Sequence, residues 1–393
     1  MILIDGPYVS DFLKKTLREK QIPVIETPIA RKLLGDNYFY VPEQEAVEKY
    51  RQDKALRLFT NSENSIAWVE QHLSFLDIPE KVKIFKNKVK FRELLKPMFP
   101  GYFFKSVAFT QLDEVEVNSL PVPFVIKPAV GFFSMGVHNV ETREEWPGIL
   151  ATIKEEMDEV RDLYPIEVMD ATTFIFEQHI KGEEYAVDCY FSASGEPVIL
   201  NIMHHVFSSG KDVSDRVYIT SREIIQTYKK PLEAFLAQLG QLAGLTNFLI
   251  HIEVRIDESG HIAPIEVNPM RFGGWCTTAD LTALGYGFNP YLAYLNDERP
   301  DWTRIFASRR DRLFSVVVLD NSTGLPTERI AGFDHARLAA GFTHVLEQRP
   351  MDVGSTGVFG FLFVETPEEK RGELERVLRS DLREFVREAE RER

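Results

Sequence analysis

The stretch Leu249-Ile-His-Ile-Glu-Val-Arg-Ile-Asp-Glu-Ser-Gly-His-Ile-Ala-Pro-Ile-Glu-Val-Asn-Pro-Met-Arg271 constrains this chain more than any other. It reads as two apolar strands joined by a turn at Glu258-Ser259-Gly260. Each strand carries an acid where alternation would place an apolar residue. Glu253 interrupts the first strand. Glu266 lies near the end of the second with Asn268 two residues on, so both side chains leave the same face of an extended chain. Three oxygen ligands converging from paired strands suit Mg²⁺, a hard cation that takes a few carboxylate or amide oxygens and completes its shell with substrate phosphates.

Bulk properties narrow what such a hairpin can belong to. At 393 residues the chain exceeds one ordinary core, and roughly two to four domains are expected. The excess of 60 acids over 46 bases, a net charge of −14, argues against a general nucleic-acid or anionic-membrane binder. It does not argue against a nucleotide, whose phosphates a metal and a few local lysines can neutralise. No apolar run approaches the ~18–20 residues of a membrane span. Met1-Ile-Leu-Ile-Asp5 meets an acid too early for the apolar region of a signal peptide. Cys189 and Cys276 are the only cysteines, which favours a cytoplasmic location over a disulfide framework.

The N-terminal residues alternate strand and helix, as in a small parallel sheet: a strand over Met1–Asp5, a helix capped by Ser10, strands at Ile22–Glu26 and Leu56–Thr60, and a helix over Ile66–Leu76. Gly6-Pro7 is a turn and not a dinucleotide fingerprint. The chain then turns basic from Lys81 and helical up to Pro97; most of these lysines read as a solvated helix face. Strands are expected at Phe124–Lys127, Val137–Val140, Phe174–Gln178, Glu184–Ser192 and Pro197–Met203, and helices from about Glu144 to Arg161 and from Arg222 to about Leu242. Beyond Arg312 come strands at Phe314–Leu319 and Phe359–Val364 and a charged helix from Glu368.

Lys127 ends an apolar strand and precedes a loop with Gly131 and Gly136 five positions apart. Such a loop lets backbone N–H groups approach phosphate oxygens, although two glycines usually mark only a turn. Phe132 and Phe133 would pack under this loop or form an apolar lid. Phe174-Ile-Phe-Glu-Gln-His-Ile180, followed by Glu184, has the form of a connector that offers backbone groups to a base and a carboxylate to ribose; an exposed hairpin is the plainer reading. His204 and His205 point to opposite faces and cannot easily share one ion. His251 shares the face of Glu253, yet a satisfied structural histidine is the default. Cys276 reads as an inert buried thiol. Arg271, beside Gly273 and Gly274, could hold a carboxylate or acyl-phosphate by bidentate hydrogen bonds, with a structural salt bridge as the alternative.

In this order the parts resemble the ATP-grasp superfamily of carboxylate–amine ligases, which includes D-alanine–D-alanine ligase, biotin carboxylase and L-amino acid ligases. The likeness spans roughly Lys81 to Leu295. It implies Lys88 as the lysine that opens the nucleotide region, Lys127 as the lysine before the phosphate flap, and Gly131, Ser134 and Gly136 as flap donors. It implies Glu177, Gln178, Ile180 and Glu184 for adenine and ribose, and Glu253, Glu266 and Asn268 for metal. Arg271 and, more loosely, Lys211 would assist the chemistry. The flap departs from the usual Gly/Ser-rich pattern. The implied cofactors are ATP and two Mg²⁺ ions, with Mn²⁺ as the alternative cation.

The implied architecture is a multidomain α/β and α+β ATP-grasp fold: an N-terminal α/β domain over 1–80, a lid subdomain with its approach helix over 81–180, a large subdomain with the metal site over 181–300, and a C-terminal α+β subdomain over 301–393. The last is open to three roles: a lid, a substrate wall or a homodimer contact. The implied function is an ADP-forming ligase that activates a small carboxylate, an amino acid in the first instance, as an acyl-phosphate and joins it to an amine. The partners are therefore small molecules. An ATP-grasp carboxylase or kinase-like phosphoryl transferase is the alternative within the superfamily, and a non-catalytic nucleotide-binding regulator the alternative outside it.

Overall fold

The computed structural model describes residues 1–130, 137–159, 172–209, 214–309 and 311–389. Near the N-terminus, β1 (Ile2–Leu3), α1 (Asp11–Glu19), β2 (Val24–Glu26), α2 (Pro28–Leu34), β3 (Tyr40–Pro42), α3 (Glu43–Gln52), β4 (Phe59–Thr60) and α4 (Ile66–His72) alternate. Their strands form a parallel sheet in the order β3-β2-β1-β4. Ser10 caps α1 by accepting from the Leu13 N–H at 3.1 Å. Pro28 ends β2 by opening a helix, its ring sitting at the first helical position behind the Thr27 cap. The sequence pattern did not reveal β3, because a three-residue strand carries too little alternation to be read, nor α3, whose largely charged sequence buries only Ala46 and Tyr50.

The basic helix expected to run unbroken to Pro97 is two helices, α5 (Ile78–Lys86) and α6 (Lys88–Leu95). Asn87 takes an extended conformation between them, and its side chain caps α6 by accepting from the Lys90 N–H at 3.0 Å. The break puts Lys86 and Lys88 at the meeting ends of the two helices. A second sheet follows, built antiparallel in the order β5-β8-β6-β7 from β5 (Phe104–Ala108), β6 (Phe124–Pro128), β7 (His138–Val140) and β8 (Thr173–Gln178). Phe124, Ile126, Phe174 and Phe176 pack one of its faces against Trp146 and Ile153 of α7 (Trp146–Glu159).

The main sheet has eight strands in the order β13-β12-β9-β10-β11-β14-β17-β16. They are β9 (Glu183–Phe191), β10 (Pro197–Val206), β11 (Val217–Thr220), β12 (Phe248–Ile256), β13 (Ile262–Pro269), β14 (Leu313–Asp320), β16 (Val345–Pro350) and β17 (Val358–Thr366). The strands beyond residue 301 thus continue the sheet that holds the hairpin, joined through β11 and β14. The long helix α8 (Arg222–Ala243) buries Leu232, Leu236 and Leu239 in the principal core. The charged helix after Glu368 is short, Gly372–Arg379, and the chain then returns as β18 (Val386–Glu388) to pair with β15 (Ile330–Phe333). Among the described residues, no helix is long and apolar enough to cross a membrane.

Candidate active site

The hairpin β12–β13 forms as its pattern predicts, and its register sets the site. Glu253 pairs directly with Glu266 across the two strands, and His251 pairs with Asn268. A bulge follows immediately, because Val254 faces Pro264 and Ile265 is the extra residue. His251 and Glu253 therefore share a face with Glu266 and Asn268. Asn268 donates its amide to Glu266 Oε1 at 3.1 Å. Two carboxylates opposite each other repel. Burial and the Glu266 charge push the Glu253 carboxyl up to about 7, against the pull of His251. For Glu266 burial works upward too, but Lys88, Lys86 and Lys127 outweigh it and hold the group below its ordinary value.

Behind Glu253 stands a buried relay. His251 is in register with Asp188 on β9, its Nδ1 lies 2.8 Å from Asp188 Oδ1, and its Nε2 lies 3.8 Å from Glu253 Oε1. Burial would lower the imidazole, yet Asp188 and Glu253 raise it to about 9. Gly273 packs against this ring; a Cβ there would sit 2.3 Å from His251 Cε1, so no larger residue fits without moving the relay. His251 is the satisfied structural histidine of the default reading, placed to hold Glu253.

The lysines arrive from the other elements. Lys127, at the end of β6, lies 2.7 Å from Glu177 Oε2. Glu177 is buried and bonds Arg92 through its other oxygen, while Arg92 also donates to the Pro264 carbonyl at 2.7 Å. Burial would raise the Glu177 carboxyl, but Lys127 and Arg92 bring it down to about 2. The Lys88 N–H donates to the Ala129 carbonyl at 2.7 Å, pinning the start of α6 to the end of β6. Burial lowers the Lys88 ammonium, Glu266 opposes, and the neighbouring Lys127 and Lys86 reinforce the lowering.

Lys88, Lys127, Glu266 and Asn268 line a cleft of about 820 Å³ together with Arg271 and, from the segment after β4, Glu63; Glu253, across the strands from Glu266, is not part of the lining. Arg271 bonds Glu63 Oε1 through Nε at 3.1 Å and through Nη2, so the salt bridge foreseen as its plainer role is present at the cleft wall. Lys86 lies 2.6 Å from Glu63 Oε2 and donates to Asn268 Oδ1 at 3.4 Å. Sequence reasoning missed Glu63, Lys86, Arg92 and Asp188. Lys86 had a usable signal, its place two residues before Lys88. Glu63 had none, since it lies 208 residues from Arg271.

The residues expected to hold base and ribose are engaged internally, and none of them lines the cleft. The Gln178 side chain accepts from the Phe103 N–H at 2.8 Å, and the Ile180 carbonyl from Arg255 Nη1 at 2.7 Å. Glu184 is shared by His205 Nδ1 at 2.9 Å and Arg255 Nε at 3.2 Å. His204 lies 3.0 Å from Glu183 and stacks on Tyr185, on the opposite face from His205. Gly131, Phe132, Phe133, Ser134, Gly136 and Lys211 lie outside the described residues. Cys276 is buried, and burial pushes its thiol up, as expected of an inert cysteine.

The donor set fits a magnesium ion. Among the described residues no cluster of three or more His, Cys, Asp and Glu side chains forms a full protein cage. Two carboxylates and an amide on one face match a cation that takes its remaining ligands from phosphates and water.

Known proteins share this fold. Residues 120–279 match the family model of the ATP-grasp domain. The L-amino acid ligase of Bacillus licheniformis superposes with a TM-score of 0.68 at 19% identity, covering 99% of this chain and 98% of that one. An N5-carboxyaminoimidazole synthase from Aspergillus clavatus gives 0.63 at 15% identity, covering 96% and 97%. Biotin carboxylase from Campylobacter jejuni gives 0.61 at 12%, covering 99% and 91%. A search of curated protein sequences finds no match. Residues 120–279 therefore carry the signature of an ATP-grasp domain, and the chain shares the ATP-grasp fold over nearly its whole length.

Proposed function

We propose that the protein is an ADP-forming ligase that activates a small carboxylate, first of all an amino acid, as an acyl-phosphate and joins it to an amine in the cytoplasm. The observation that carries this reading is the cross-strand pair Glu253–Glu266, whose Glu266 lines a cleft together with Asn268, Lys88, Lys127 and Arg271. Glu253, Glu266 and Asn268 would hold Mg²⁺, or Mn²⁺, most simply as two ions. When bound, the metal supplies charge neutralisation at the transferring phosphoryl group. Lys88 and Lys127 add positive charge for the phosphates, and Glu177 fixes where the Lys127 ammonium sits. Arg271 orients the attacking carboxylate. No side chain need act as a nucleophile, because positioning and electrostatics account for phosphoryl transfer. In this division, 81–180 and 181–300 form the nucleotide-binding core, and 1–80 and 301–393 wall the substrates.

The test is a screen for ADP and phosphate release over pairs of amino acids, other carboxylates and amines. Release only when carboxylate and amine are both present is the expected result. Release that requires bicarbonate would move the protein to the carboxylases, whose fold it shares. A stable phosphorylated product from one substrate would mark a kinase-like transferase. ADP binding with no turnover on any pair would favour the regulator.

A further inference from the structure

Arg271 and Lys86 converge on one carboxylate, and that carboxylate belongs to the protein. Arg271 presents Nε and Nη2 to a single oxygen of Glu63, Oε1, so one carboxylate oxygen fills that edge of the guanidinium. Lys86 takes the other oxygen at 2.6 Å. The three side chains come from distant parts of the chain: the turn after β4, the end of α5 and the segment after β13. All line the cleft, and their side chains keep 34% (Glu63), 29% (Lys86) and 15% (Arg271) of their exposure, so they face its contents and not the core.

We propose that Arg271 and Lys86 form a carboxylate receptor whose resident occupant is Glu63, and that an acidic substrate binds by exchanging with the Glu63 side chain. The inference deepens the ligase reading and rests on it for the identity of the incoming group. Exchange of one carboxylate for another conserves charge and hydrogen bonds at the receptor, so only the freed Glu63 must find solvent, which its partial exposure allows. Glu63 is a poor receptor for the ammonium of an amine substrate, because Arg271 holds one of its oxygens and Lys86 the other. Lys86 also touches Asn268 at 3.4 Å, so filling the receptor from outside reaches the metal end directly. Until an acidic substrate arrives, Glu63 keeps both cations paired.

The full chain tests this with formate as the probe. Titration calorimetry at constant ionic strength, with chloride as the control anion, would compare wild type with Glu63→Ala. Removing an internal competitor raises apparent affinity by the inverse of the fraction of receptor it had left open. Formate is therefore expected to bind Glu63→Ala about tenfold or more tightly than wild type. Adding Arg271→Gln to Glu63→Ala should erase that gain. Equal formate binding by wild type and Glu63→Ala, or a gain that survives Arg271→Gln, overturns the proposal. Should Glu63→Ala not fold, Glu63→Gln keeps the volume, removes the charge and is read the same way. ADP binding on the same samples separates the two readings: its absence in wild type would break the nucleotide site while the formate comparison stands.

Discussion

The two ends of the nucleotide region treat their carboxylates in opposite ways. At the β12–β13 hairpin, Glu253 and Glu266 face each other with no Lys or Arg of the described residues in ion-pair contact; the nearest cationic partner is His251, 3.8 Å from Glu253. At the connector between β8 and β9, Glu177 is closed by Lys127 and Arg92, and Glu184 by His205 and Arg255. The first arrangement pushes Glu253 up to about 7, although lysines beyond contact distance hold Glu266 down; the second holds Glu177 down to about 2. Acids that the fold neutralises itself are structural in the first instance, whatever their motif. Acids that the fold sets face to face are the ones proposed to hold a metal.

That contrast can be broken at each end. The largest effect is expected at the hairpin: Glu266→Gln should cut ATP consumption by about 10²–10³-fold or more, measured as ADP release with Mg²⁺ present. Glu253→Gln should cost activity similarly yet leave the melting temperature of the metal-free protein unchanged or higher, because its charge is disfavoured there. A Glu266→Gln protein that turns over near normally would sink the metal assignment.

At the connector the expectation reverses. Glu177→Gln leaves Arg92 and Lys127 without their buried partner and should lower unfolding free energy by about 3–5 kcal/mol, read from denaturant titration. A variant as stable as wild type would show that Glu177 is not the structural hub the geometry makes it.

The smallest effect concerns Glu63, which resembles both ends, being paired yet facing the cleft. Burial raises its carboxyl, but Arg271 and Lys86 bring it down to about 2 from an ordinary value near 4.5. A depressed carboxyl stabilises the fold above its unfolded pKa and loses that contribution as pH falls through the folded one. The melting-temperature advantage of wild type over Glu63→Gln should therefore be full above pH 4.5 and shrink steadily toward pH 2. An advantage independent of pH over that window would mean the ion pairs contribute nothing to folding.

Much of the site was legible because the signals were local. A hairpin brings residues 13 apart face to face, so Glu253, Glu266 and Asn268 could be read from alternation alone, and the register agrees. Lys127 was legible as a charge closing an apolar strand. The helix pair at Lys86 and Lys88 was blurred, since a single extended residue, Asn87, breaks a continuous helical pattern and only its cap reveals the break. The side-chain partners of Glu177 and Glu184 could not be read, because Arg92 and Arg255 lie 85 and 71 residues away.

What the sequence determined by itself was that Glu266 and Asn268 share a face of the hairpin that carries Glu253, and the order of the parts, because strand periodicity fixes which neighbours share a face. The tertiary structure alone decided which charges remain available. It closed Glu177 and Glu184, set the Asp188–His251 relay behind Glu253, and brought Glu63 across the chain onto Arg271 and Lys86. Those outcomes depend on ion pairs between residues far apart in the chain, which no local pattern encodes. The same long-range assembly carried the strands beyond residue 301 into the sheet that bears the site.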